Sequence, residues 1–146
     1  MRDEQTPSQR RVTDVAGDAV WGAGVGFPGQ YCESGKSFHE ATFDLPPVAE
    51  RLGFEVWRAH DLGEMLAARG LACDESVQVF ELGHARYIER LLALDVRMSA
   101  CLPWRIAVFT RAGATWFALA DLVPAGVAPG PALAALLAEI EAKLRY

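Results

Sequence analysis

Three histidines, His39, His60 and His84, together with two ionisable residues set in apolar runs, Glu81 and Arg105, are the side chains of this 146-residue chain best suited to chemistry. His60 follows the run from Phe54 to Ala59 and precedes Asp61 and a helical pattern, a junction where polar groups often converge on a cleft. The ordinary alternative is an imidazole that hydrogen-bonds the backbone at that turn. Glu81 interrupts Val77, Val79, Phe80 and Leu82, and a carboxylate in such a run needs a partner. Arg105, directly after Trp104 in another apolar run, is the expected one, because a planar guanidinium suits either a structural carboxylate pair or capture of a small anion.

Imidazole and carboxylate together suit zinc or a similar ion, yet the three histidines lie on separate expected elements with no H-x-x-x-H or H-E-x-x-H spacing. No metal is expected. Gly24-Val25-Gly26-Phe27-Pro28-Gly29 fits the dinucleotide pattern G-x-G-x-x-G, but that loop works only between a strand and a helix N-terminus, and no helical run follows Gly29. It reads as a turn, and no cofactor is expected. Neither a Ser-His-Asp spacing, a phosphate-binding loop nor a nucleophile elbow is present. Cys32, Cys73 and Cys101 form no C-x-x-C pair and show no neighbour that would depress a thiol pKa, so they read as reduced, ordinary thiols of a cytoplasmic protein.

The elements that must position these residues follow from periodicity. Residues 1–24 show no sustained period and read as an N-terminal arm, leaving 25–146 as one domain. Ser37 and Glu40 have capping-box spacing before Phe38, Ala41, Leu45, Val48, Ala49 and Leu52, which predicts a helix from Phe38 to Gly53, broken in two at Pro46 and Pro47. A strand over Phe54 to Ala59 follows. Asp61 should cap a two-turn helix that turns Leu62, Met65 and Leu66 inward and stops at Gly70. Val77 to Leu82 predicts a strand, Ala85 to Leu94 a helix burying Tyr87, Ile88, Leu91 and Leu92, and Arg97 to Leu102 a further strand, with Pro103 at an edge or bulge. Trp104 to Thr110 and Thr115 to Leu122 should pair as a hairpin, and Pro131 should open a final helix with Leu133, Leu136, Leu137, Ile140 and Leu144 on one face. Trp57, Trp104 and Trp116 fall in strands, where an indole serves core packing, a dimer face or, less ordinarily, an aromatic pocket wall.

This order of elements predicts a two-layer α+β domain with helices on one face of the sheet. A hydrophobic content of 51% excludes a disordered chain, and a net charge of −5 argues against a nucleic-acid partner. The N-terminus lacks a signal-peptide pattern, and the longest apolar runs are too short to span a bilayer.

Four stretches taken together resemble the domain of unknown function 302 family: Ser34 to Phe38, Gly53 to Leu66, Val79 to Leu82 and Leu102 to Phe109. Both motif cysteines of that family are absent, since Gly83-His84-Ala85 stands where the family shows Cys-Asn-Pro and Trp104 where it shows Cys; Cys101 lies three residues short of the second position. The resemblance implies an α+β fold with a curved antiparallel sheet and a homodimer. It also implies that thiol chemistry is lost here or that His84 serves as a replacement ligand or base. The expected function is a dimeric small-ligand-binding or sensory domain with a pocket between sheet and helices, its candidate ligand-binding residues being His60, Glu81, His84, Trp104 and Arg105. The alternatives are an enzyme acting on a small anionic or sulfur-containing substrate, with His60 or His84 as acid/base, and a purely structural interaction module.

Overall fold

The computed structural model describes residues 30–122 and 128–144. Its elements, in order, are Gln30–Ser34 (β1), Phe38–Arg51 (α1), Glu55–Asp61 (β2), Leu62–Ala68 (α2), Val77–Gly83 (β3), Ala85–Leu94 (α3), a 3-10 helix at Val96–Cys101, Trp104–Arg111 (β4), Ala114–Leu119 (β5) and Pro131–Leu144 (α4). The strands form one antiparallel sheet in the order β1-β5-β4-β3-β2. This is an α+β fold with an open sheet. The expected arm at 1–24 and the glycine pattern at 24–29 lie outside the described residues.

Strand alternation sorts the sheet into two faces. Phe80 and Leu82 of β3, Trp104 and Val108 of β4, and Leu119 of β5 are buried in one cluster with Ala41, Leu45 and Ala49 of α1, Tyr87 and Leu91 of α3, and Leu136, Leu137 and Ile140 of α4. That helix-bearing face is the near face. On the far face the register sets Phe109 opposite Trp116, and the Tyr31 and Phe109 rings meet edge-on at 6.2 Å. Trp116 is buried there, outside the main core. Burial, with the Asp121 charge adding to it, pushes the Tyr31 hydroxyl up to about 12.

Several local expectations need correction. Helix α1 runs unbroken through Pro46 and Pro47. The two prolines remove backbone donors, but the Ser37 cap at one end and the buried row Ala41, Leu45 and Ala49 hold the helix as one body. The stretch expected as a strand at Arg97 to Leu102 is the 3-10 helix, because the Asp95 side chain accepts the Arg97 backbone N–H and its ion pair with the Arg97 guanidinium closes a turn. Pro103 therefore precedes β4 rather than lying within a strand, and its peptide bond with Leu102 is cis. Helix α2 buries no residue, and Met65, expected inward, is exposed. Strand β1, which carries Cys32, was not expected at all. Among the described residues no helix is long and apolar enough to cross a membrane.

Candidate functional site

Glu81, near the end of β3, the strand between edge strand β2 and central strand β4, organises the far face. Its register partners are Arg58 on β2 and Arg105 on β4, and directly opposed residues of antiparallel strands project to the same side. The site is thus a carboxylate flanked by two guanidiniums on neighbouring strands. His60, two residues beyond Arg58, shares that face, and its Nε2 lies 3.4 Å from Glu81 Oε1. Arg105 was the expected partner of Glu81; the structure gives Glu81 its closest side-chain contact with His60 instead. The His60 and Glu81 side chains are 42% and 28% exposed, so the contact is solvent-screened and contributes little to stability.

Among the described residues, neither the Arg58 nor the Arg105 guanidinium has a hydrogen-bond or ion-pair partner, and both residues are exposed. Two guanidiniums thus flank the Glu81 carboxylate, with Glu55 standing at the Gly83 end of the same face, on a chain whose total charge is −5. A concentration of free, planar donors against the overall sign of the molecule favours a small anion.

The pairing register slips between Val56 and Arg58, so Trp57 is the extra residue of a β-bulge. Its indole covers Gly83 so closely that any Cβ there would overlap the ring. Gly83 and Glu81 are two apart on β3, which puts the indole on the far face beside the charged row. Trp57 remains 48% exposed.

The other two candidates lie across the sheet. Trp104 is 2% exposed on the near face, its ring edge-on to Phe54 at 6.0 Å. His84 caps α3: its Nδ1 accepts the Tyr87 backbone N–H at 3.4 Å, and its ring packs 5.1 Å from Phe54 and 4.3 Å from Tyr87. The Nε2 edge stands 2.9 Å from where a Cβ of Gly53 would be, and Gly53 has a φ of 88° that favours glycine in any case. Burial, followed by the Lys143 charge, holds the His84 pKa below its ordinary value, so the ring is kept neutral. Adjacent strand residues point to opposite faces, so Trp104 and Arg105 cannot line one pocket, and the five candidates divide into a far-face polar group and a near-face aromatic one.

His60 also borders an open cleft of about 610 Å³ at the β2–α2 junction, lined by Ala59, Asp61, Leu62, Glu64, Met65 and Gln78. The Asp61 carboxylate is committed to the Glu64 backbone N–H as the cap of α2. Among the described residues no three His, Cys, Asp or Glu side chains come together as a metal site. No disulfide joins Cys32, Cys73 and Cys101, and burial followed by the Glu33 charge raises the Cys32 pKa, which disfavours a reactive thiolate. Arg58 was missed by sequence reasoning, since only the bulge brings it to Glu81.

The sequence profile of a family described as domain of unknown function DUF302 matches residues 30–146. The crystal structure of an uncharacterized conserved DUF302 protein from Bacillus stearothermophilus superposes with a TM-score of 0.72 at 23% identity, covering 79% of this chain and 91% of that one. That likeness carries the fold. No curated protein matches the chain.

Proposed function

Since the chain belongs to the domain of unknown function 302 family, whose name assigns no activity, we propose from the site itself that it is a cytoplasmic, homodimeric domain that binds a small anion at the far-face group Arg58, Glu81, Arg105 and His60. The supporting observation is the pair of guanidiniums, without a partner among the described residues, in register on either side of Glu81. Glu81 and His60 position the site, and the two arginines supply donors to the anion. Cysteines that form neither a C-x-x-C pair nor a disulfide suit the cytoplasmic reading. Large apolar side chains left exposed, among them Phe43, Leu71 and Val96, supply surface that a second copy can cover.

The test is thermal unfolding in millimolar inorganic phosphate at low ionic strength. The wild-type melting temperature rises by mass action, and the Arg58→Gln/Arg105→Gln double variant shows no rise. An equal response in both proteins removes the site. The 3.4 Å contact between His60 and Glu81 supports a second reading, an enzyme acting on a small anionic or sulfur-containing substrate with His60 as acid/base, because a carboxylate at an imidazole fixes its orientation. Turnover that disappears in His60→Gln while phosphate binding persists is the mark of that reading.

A further inference from the structure

We infer that the ligand is a planar aryl monoanion or dianion, whose ring lies against the Trp57 indole while its charged group reaches Arg105 and Arg58. This rests on the anion-site reading and adds its specificity. Two features of the chain build the platform together. The bulge between Val56 and Arg58 supplies one extra residue on the edge strand β2, so Trp57 and Arg58, adjacent in sequence, both serve the far face. Gly83 supplies the seat, since any side chain there would occupy the space of the ring. An indole seated on backbone in this way is held in place, yet 48% of the residue stays in solvent, so it can cover a ligand without first leaving a core.

The charges give the site a direction. Glu55 is the register partner of Gly83 and stands at the Trp57 end, whereas Arg105 is the partner of Glu81 further along β3. A carboxylate at one end and a guanidinium at the other place the uncharged ring over Trp57 and the anionic group toward Arg105. An anion without a ring uses only the arginine end, and a neutral ring without an anion meets no charged donor. The indole therefore discriminates among anions that the arginines alone treat alike.

The experiment compares phenyl phosphate, methyl phosphate and inorganic phosphate by calorimetric titration of the full chain. Wild-type protein is expected to bind phenyl phosphate about tenfold more tightly than methyl phosphate, the scale of one aromatic contact with its buried area. In Trp57→Leu, and separately in Gly83→Ala, which displaces the indole, that preference disappears while inorganic phosphate binds as before. Equal affinity of wild-type protein for the phenyl and methyl esters overturns the inference even if a variant fails to fold. So does a preference that survives in Trp57→Leu. Failure of all three anions to bind removes the anion site and the inference with it, a result distinct from binding without aryl preference.

Discussion

At position 84 a single imidazole caps α3, packs on Phe54 and Tyr87 and carries a lowered pKa, with burial first and Lys143 second among the causes. Folded protein then binds fewer protons than unfolded protein just below the ordinary histidine pKa. The stability that neutral His84 confers is present above pH 6.5 and is lost as pH falls through the lowered folded value. Melting temperature should therefore decline on acidification from pH 7, before most carboxylates titrate. His84→Asn, which retains a side-chain acceptor for the Tyr87 N–H but does not titrate, should flatten that part of the profile. An identical slope in the variant refutes the assignment. Single residues were legible in the sequence by type: His60, Glu81 and Arg105 do meet on one face. Their partners were not, because a lone sequence cannot say whether a carboxylate in an apolar strand faces the core or the far side. Glu81 faces the far side, so its side-chain contact is with the part-exposed His60 rather than with the expected Arg105.

At the scale of elements, the bulge in β2 decides the site. Plain alternation from Phe54 and Val56 would send Arg58 and His60 to the core face; the extra residue at Trp57 transfers both to the far face, opposite Glu81 and Val79. No periodicity in the sequence announces that transfer, which is why Arg58 was missed. Caps were easier to read, since Ser37 and Asp61 act through their own side chains on neighbouring N–H groups. The prolines of α1 misled for the opposite reason: their cost is local and visible, while the burial of Leu45 and Ala49 that offsets it is tertiary. Pro47 is exposed within the helix, so Pro47→Ala restores a donor where nothing else changes. It should raise unfolding free energy in urea by about 1–3 kcal/mol. A destabilised variant would mean that the proline contributes packing or rigidity beyond its lost hydrogen bond.

For the molecule as a whole, the α+β class and the β4–β5 hairpin were legible because long-range order followed from local patterns of period two and 3.6. Strand β1 escaped because five residues at a sheet edge carry too short a pattern, and it is defined by pairing with β5. The homodimer belongs to this scale: light scattering after size exclusion should give two chains per particle, and a monomer persisting at high micromolar concentration removes it. The central claim is that the far face, through Arg58 and Arg105, holds a small anion. The most direct measurement is an isotope-edited NMR titration of the full chain with inorganic phosphate. The account predicts saturable shifts at the Arg58 and Arg105 side chains and the neighbouring β2, β3 and β4 amides, absent in the Arg58→Gln/Arg105→Gln protein. Saturable shifts centred on the near-face group of His84 and Trp104, or shifts unchanged in the double variant, would contradict it.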